Sequence, residues 1–139
     1  MNEPETMLEM LGGRELTPRT LAVVGLSDDP GKASHGVSAY MQECGYRILP
    51  VNPGISTALG EKSYASLSEL PVTPDVVNVF RLPKYIPAIV DEMLALGLKN
   101  LWVQSGIRNE AAAEKAEAGG IRVVMDRCIM VEHRILMRD

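Results

Sequence analysis

The chain has 139 residues, 46% of them hydrophobic and 23% charged, which is typical of a single globular domain rather than a disordered or fibrous chain. The formal charge is -4, with no run of lysines or arginines, and this argues against a long nucleic acid as partner. No apolar stretch approaches the roughly 20 residues of a membrane helix and no export signal opens the sequence, so we expect a cytoplasmic protein without membrane contact.

The first half of the chain alternates strand and helix patterns. Residues 20–25 are almost all apolar, as in a central strand covered on both faces. Apolar side chains then recur at helical spacing over 37–44, and Gly45 predicts the end of that helix. Residues 47–51 predict a second strand, which Pro50 is expected to end or fray.

The middle of the chain predicts a short helix, a strand and a longer helix. Ser66 and Glu69 have the spacing of a capping box, and Pro71 limits any helix there to one or two turns. Residues 75–80 predict a third buried strand. Apolar positions over 86–94 share one helical face, and Gly97 predicts the end of that helix.

The last third predicts two more strands around an alanine-rich helix. The strands are 100–103 and 121–125, and Asn109 is a good N-cap for the helix between them. Residues 1–18 form an extension that can hold a short amphipathic helix. Residues 128–137 can be either a helix or an extra edge segment.

Five strands separated by helices imply right-handed crossovers and a parallel sheet. We therefore predict an α/β fold, a single doubly wound Rossmann-like domain over 19–139 with helices on both faces of the sheet. In such a sheet, ligands bind beyond the carboxyl ends of the strands, where the strand order reverses. The residues that follow the five predicted strands are therefore the candidates, namely Gly25, Leu26, Ser27, Asn52, Pro53, Phe80, Arg81, Gln104, Ser105, Gly106, Asp126 and Arg127.

The turn after the first strand suits a pyrophosphate. Gly25 permits a sharp turn, and residues 27–34 lead into a helix whose free N–H groups point back at it. Lys32 and the hydroxyls of Ser27 and Ser34 can add contacts to phosphate. The alternative is that the glycines only make a tight βα turn.

Two other positions also have alternative interpretations. The chain lacks the G-x-G-x-x-G fingerprint and has Asn52 in place of an acidic residue, which disfavours a standard NAD site. Asn52 can bond a ribose or simply form a turn before Pro53. Arg81 can pair with a phosphate or stack on a purine beside Phe80, or it can be the solvated end of a strand.

No catalytic or metal-binding pattern stands out. There is no HExxH motif and no nucleophile elbow, and neither His35 nor His133 is tied by spacing to a nucleophile. Asp126 and Arg127 are expected to form a local ion pair. The two cysteines, at 44 and 128, are expected to be buried thiols.

Taken together, five strings resemble those of the CoA-binding protein family, whose stand-alone domains are similar to the N-terminal CoA-binding domain of the succinyl-CoA synthetase alpha subunit. The strings are Ala22–Ser27, Gly45–Pro53, Val79–Arg81, Gln104–Gly106 and Val124–Cys128, the last followed by Glu132 and His133. The resemblance implies a Rossmann-like fold that holds coenzyme A. Ligase activity is not expected from the fold alone.

The resemblance also implies a role for each candidate. It places the pyrophosphate against the turn of Gly25, Leu26 and Ser27 and the helix that follows. It further implies Lys32 on a phosphate, Asn52 and Pro53 by the ribose, Phe80 and Arg81 near the adenine, and Gln104, Ser105 and Gly106 along the pantetheine.

Three functional hypotheses follow. The first is a non-catalytic or regulatory module that binds CoA or an acyl-CoA. The second is a component of an NAD(P)-dependent oxidoreductase, since Asn52 tolerates a 2′-phosphate. The third is an interaction domain with an empty pocket that forms a homodimer or binds a partner protein through apolar terminal segments.

Overall fold

The computed structural model describes residues 1–137. Its strands are β1 (Thr20–Val24), β2 (Arg47–Val51), β3 (Thr57–Ala58), β4 (Glu61–Lys62), β5 (Val76–Val79), β6 (Asn100–Val103) and β7 (Arg122–Met125). Its α-helices are α1 (Pro4–Met10), α2 (Ala33–Glu43), α3 (Ile86–Leu96), α4 (Glu110–Ala118) and α5 (Ile129–Met137), and Leu67–Glu69 and Pro83–Tyr85 form 3-10 turns.

Five of the strands form one parallel sheet in the order β2-β1-β5-β6-β7. From β1 the chain first passes to the edge strand β2 and then crosses back to β5 on the other side of β1. The strand order therefore reverses between β1 and β5, which is where a ligand site forms in a doubly wound sheet. The predicted α/β fold is confirmed.

Helices cover both faces of the sheet. Side chains of α3 and α4 pack on one face with Val77 and Val79, while α1, α2 and α5 pack on the other face with Val76 and Trp102. This alternation follows from the two-residue repeat of a strand. The side chain of Trp102, in β6, is fully buried in this core.

Local capping chemistry sets several of the helix ends. The helix α3 ends at Gly97, whose φ of 73° is left-handed, as is usual for a glycine at that position. The helix α4 begins after Asn109, whose side chain accepts a hydrogen bond of 3.0 Å from the Ala112 N–H. Both features confirm the interpretation of these segments from sequence.

Two local expectations need correction, and one feature was not predicted. The strand β2 continues through Pro50 to Val51, because it is an edge strand and the proline carbonyl still accepts a hydrogen bond from the Tyr64 N–H. The Ser66 hydroxyl bonds the Glu69 carboxylate at 3.2 Å and caps no backbone N–H. The antiparallel pair β3–β4 has no counterpart in the prediction, because its strands have only two residues each.

The chain ends and the cysteines complete the fold. The extension 1–18 holds α1, which buries Met7 and Met10, and Ile129–Met137 form a helix rather than an edge strand. Both cysteines are half-buried rather than buried. No helix within residues 1–137 has the length and apolarity needed to cross a membrane.

Candidate functional site

The carboxyl ends of the five parallel strands bring most of the sequence candidates to one edge of the sheet. Asn52 follows β2, Gly25 follows β1, Phe80 follows β5, Gln104 follows β6 and Asp126 follows β7. Because neighbouring strands in this row are hydrogen-bonded, the turns that follow them lie side by side.

Gly25 lies at the point where the strand order reverses. Its φ is 88°, and a Cβ built on it lies 2.5 Å from the Phe80 carbonyl oxygen. Its N–H donates to the Val51 carbonyl at 2.9 Å, and the Phe80 N–H donates to the Val24 carbonyl at 2.9 Å. Both the left-handed backbone and the close approach of β5 therefore require glycine here.

Side-chain hydrogen bonds hold the loop between β1 and α2. The Ser34 hydroxyl, which is buried, accepts from the Ser27 N–H at 3.0 Å. The Ser27 hydroxyl accepts from the Asp29 N–H at 3.0 Å, and the Asp29 carboxylate accepts from the Gly31 N–H at 2.9 Å. These oxygens and the Ser27 N–H therefore form hydrogen bonds within the loop.

The start of α2 leaves free backbone donors. The N–H groups of Ala33 and Ser34 have no hydrogen-bond partner among residues 1–137, as is usual for the first residues of a helix. Lys32 directly precedes the helix, is exposed and forms no ion pair within that range. Two donors, one cation and the positive end of the helix dipole thus lie together at this turn.

Asn52 uses its side chain to shape the loops. Its Nδ2 donates to the Leu26 carbonyl at 3.0 Å and its Oδ1 accepts from the Gly54 N–H at 2.8 Å. The structure therefore shows the turn role. The Leu26 side chain itself is fully buried, so only the backbone of that residue belongs to the edge.

A cleft of about 220 Å³ opens beside Gly25 at this switch point. It is lined by Val24, Gly25, Val51, Pro53, Ala65, Ser66, Leu67, Arg81, Tyr85, Ala88, Ile89 and Glu92. Of the sequence candidates, it brings together Gly25, Pro53 and Arg81.

Two charged side chains face this cleft. The Arg81 guanidinium lies over the Tyr85 ring, with 4.2 Å between its carbon and the ring centroid, an arrangement that holds the cation by cation–π attraction. The Glu92 carboxylate accepts from the Leu67 and Ser68 N–H groups at 3.4 and 3.3 Å. The cleft therefore combines apolar walls with one cation and one carboxylate.

The turn after β6 lies farther along the edge and does not line the cleft. Gln104 is buried, and its Oε1 accepts from the Ile129 N–H at 3.0 Å, which caps the start of α5. Gly106 has a φ of 84°. Ser105 is exposed, so its hydroxyl is the side-chain group of this turn that remains open to solvent.

Asp126 holds that turn in place, and its predicted ion pair with Arg127 is wrong. Its carboxylate accepts from the Gly106 N–H at 2.6 Å and pairs with Arg108 at 3.2 Å. The Gly106 N–H, followed by Arg108, lowers the pKa of this carboxyl. The Arg127 guanidinium donates instead to the Asp126 carbonyl, because Arg108 reaches the carboxylate from the neighbouring turn.

Much of the cleft wall was missed from sequence. Tyr85, Ile89 and Glu92 come from the segment that follows β5, and Ser66 and Leu67 from the 3-10 turn. The first group could have been found by extending the strand-end rule into the first turns of the following helix. Nothing local marks the second group, because only the tertiary fold brings that turn to α3.

Comparison with known proteins identifies the family. The model of the CoA binding domain family matches residues 19–134. The chain belongs to this family. It is 44% identical to the uncharacterized protein YneT of Bacillus subtilis over 117 residues, which cover 84% of this chain and 87% of YneT.

A ligase subunit and a solved structure are also similar. The alpha subunit of an ADP-forming acetate–CoA ligase II from Pyrococcus furiosus is 28% identical over 123 residues, but the match covers 81% of this chain and only 27% of the subunit. A structure from Thermus thermophilus is 38% identical with a TM-score of 0.88, and the match covers 96% of this chain and 98% of that one. The resemblance found from sequence is thus confirmed at family level.

Proposed function

We propose that this chain binds coenzyme A or an acyl-CoA at the turn between β1 and α2 and the adjoining cleft, as a non-catalytic or regulatory module. The observation that carries the proposal is the pair of unpaired N–H groups of Ala33 and Ser34 beside the switch-point cleft, within the CoA binding domain match. A diphosphate is the part of CoA that such a helix start holds best.

The charges at the turn and the cleft indicate which part of CoA binds at each. Lys32 and the start of α2 favour the phosphates, whereas Glu92 at the cleft wall repels them. The apolar cleft with Arg81 laid on Tyr85 suits a purine ring, since a guanidinium plane and an aromatic face both stack on bases. The adenine therefore belongs in the cleft and the diphosphate at the turn.

The size of the cleft supports an extended pose. At about 220 Å³ it is smaller than the roughly 300 to 1,000 Å³ of pockets that enclose a whole ligand. The rest of the CoA molecule must then run along the sheet edge. Ser105 and Gly106 lie in the direction of β6 and offer the pantetheine a hydroxyl and open backbone.

The non-catalytic part of the proposal rests on what the polar side chains of the edge already do. Ser34, Asn52, Gln104 and Asp126 each bond a backbone N–H group of this protein. Groups bound in this way position loops, and they are poorly placed to take up a proton from a substrate. His133 lines a different cavity, with Cys44 at the other end of α2, and does not line the cleft.

Isothermal titration with CoA, acetyl-CoA and NADPH tests the proposal. We expect heat of binding with both CoA forms and none with NADPH. Lys32→Ala should weaken binding by about 1 to 3 kcal/mol, the contribution of a charge-assisted hydrogen bond to phosphate. Arg81→Ala should weaken it by about 0.5 to 2 kcal/mol, because it removes the guanidinium plane on which the adenine stacks. Lys99→Ala, which removes an exposed cation before β6 at the opposite edge of the sheet, is the matched control.

Three outcomes would count against this assignment. A folded sample that takes up neither CoA form would remove it, and binding of NADPH alone would favour the oxidoreductase component. A protein that binds no nucleotide but sediments as a dimer would point to the interaction domain, for which exposed Val131 and Ile135 on α5 offer an apolar surface.

A further inference from the structure

A second cavity, of about 370 Å³, lies away from the cleft. Three segments enclose it, residues 14–16 of the N-terminal extension, Cys44 at the end of α2, and the last two turns of α5. The helix α2 starts at the ligand edge and ends here, a distance of about 16 Å for its 11 residues. The two cavities share no lining residue.

A buried histidine forms part of the wall of this cavity. His133 is 2% exposed, and its Nδ1 lies 3.1 Å from the Tyr40 hydroxyl. Its ring meets the rings of Tyr40 and Tyr46 edge-on, with centroids 5.6 and 5.5 Å apart. Packing on two tyrosines fixes the orientation of the imidazole.

The protonation states make Nε2 a hydrogen-bond donor. Burial lowers the pKa of His133 and raises the pKa of Tyr40, so at neutral pH the imidazole is neutral and the phenol keeps its proton. The Tyr40 O–H has two acceptors within reach, His133 Nδ1 at 3.1 Å and Met137 Sδ at 4.0 Å. Donation to Nδ1, the nearer and stronger acceptor, places the ring hydrogen on Nε2. Nε2 has no partner in the described part of the chain, yet it is not among the enclosed unpaired atoms, so it reaches the solvent.

The rest of the lining combines opposite charges with an apolar wall. Arg14 and Glu15 are exposed and form no ion pair within residues 1–137. Leu16, Leu136 and Met137 supply apolar surface. A ligand that satisfies every one of these groups carries one carboxylate, one ammonium and an apolar body.

We propose that this cavity binds a free apolar α-amino acid. The carboxylate accepts from the Nε2–H of His133 and pairs with Arg14, the ammonium pairs with Glu15, and the side chain packs on Leu16 and Leu136. The volume lies within the range of ligand pockets, about 300 to 1,000 Å³. The site is separate from the CoA cleft, and neither assignment depends on the other.

The chain supplies internal controls for the test. It has two histidines and two cysteines, and in each pair one member lines this cavity while its counterpart, His35 or Cys128, does not. L-Leucine is the probe, 4-methylpentanoate is the same molecule without the ammonium, and 3-methylbutylamine lacks the carboxylate. The readouts are the imidazole ¹⁵N resonances and the rate of alkylation at each cysteine by iodoacetamide.

We expect leucine to shift the Nε2 resonance of His133 in a saturable way and to slow alkylation of Cys44, without changing His35 or Cys128. Each analogue, and the variants Arg14→Ala and Glu15→Gln, should bind about tenfold more weakly, as for the loss of one charged contact. Lys99→Ala should bind leucine as the wild type does.

Three results would overturn the assignment. One is the absence of any His133 shift at millimolar leucine in a folded sample. Another is equal affinity for leucine and 4-methylpentanoate, which would show that Glu15 recognises nothing. The third is an equal change in the His35 resonance and in the alkylation rate of Cys128, which would show that leucine binds nonspecifically.

Discussion

Replacing Gly25 by alanine tests the geometry of the turn between β1 and α2. The residue has a φ of 88°, and the new Cβ would lie 2.5 Å from the Phe80 carbonyl oxygen. That oxygen belongs to the backbone at the end of β5, so it cannot rotate away as a side chain would. Either the turn or the end of β5 must shift.

The expected loss of stability is the sum of two costs. A left-handed backbone costs a residue with a Cβ about 1 to 2 kcal/mol, and forcing extra volume into a packed site costs about 1 to 3 kcal/mol. The lower entropy of the unfolded alanine chain offsets about 0.4 to 1 kcal/mol. The net loss is about 1 to 5 kcal/mol, a large part of the roughly 5 to 15 kcal/mol by which domains are stable.

Urea unfolding followed by fluorescence measures this loss, because the single tryptophan is the fully buried Trp102. With a slope of about 1 to 3 kcal/mol per molar urea, a mid-range loss of about 3 kcal/mol lowers the midpoint by about 1 M or more. Gly36→Ala is the matched control, since that glycine lies inside α2 with nothing within 4 Å of the new Cβ. It should stabilise the protein by about 0.5 to 1 kcal/mol.

The comparison of Gly25→Ala with Gly36→Ala shows whether the effect is specific to the turn at Gly25. If Gly25→Ala unfolds at the same urea concentration as the wild type and with the same slope, the left-handed turn and the close approach of β5 are both refuted. If both variants are destabilised equally, the effect is not specific to the switch point.

Three further outcomes are expected. Asn52→Ala should lose about 1 to 3 kcal/mol in urea unfolding, because it removes two hydrogen bonds of 3.0 and 2.8 Å to loop backbone; an unchanged midpoint would show that these bonds do not hold the loops. Asn109→Ala should lower the free energy of unfolding by about 1 kcal/mol, because it removes the N-cap hydrogen bond of α4. Asn109→Asp should keep most of the wild-type stability, because aspartate is a similar N-cap. Burial lowers the pKa of His133, so on acidification the imidazole is protonated in the unfolded chain before it is protonated in the folded protein. The free energy of unfolding should therefore be constant above pH about 6.5 and fall as the pH drops below that value. His133→Gln should remove this dependence and His35→Gln should not, as urea midpoints between pH 5 and pH 7.5 would show.

Local chemistry in the sequence was enough to predict the five strands of the main sheet and the helices α2, α3 and α4. A buried strand is recognised by a continuous apolar run. The N-cap at Asn109 and the C-terminal glycine at Gly97 likewise depend on residues within a few positions of each other. The same holds for the turn at Gly25, because a glycine between a strand and a helix is recognisable from the sequence alone. The alternation of these elements was sufficient for the doubly wound architecture.

Only the tertiary structure decided which groups remain open for binding. Ser34, Asn52 and Gln104 have the right chemistry for ligand contact, yet the side chains of the first two hold loops and that of Gln104 caps α5. The Asp126 carboxylate likewise meets Arg108 and not its neighbour in sequence. A hydrogen-bond partner is set by distance in space, and sequence spacing carries no information about it when the partners belong to different turns. For the same reason the walls of both cavities became visible only when the helices had been packed on the sheet.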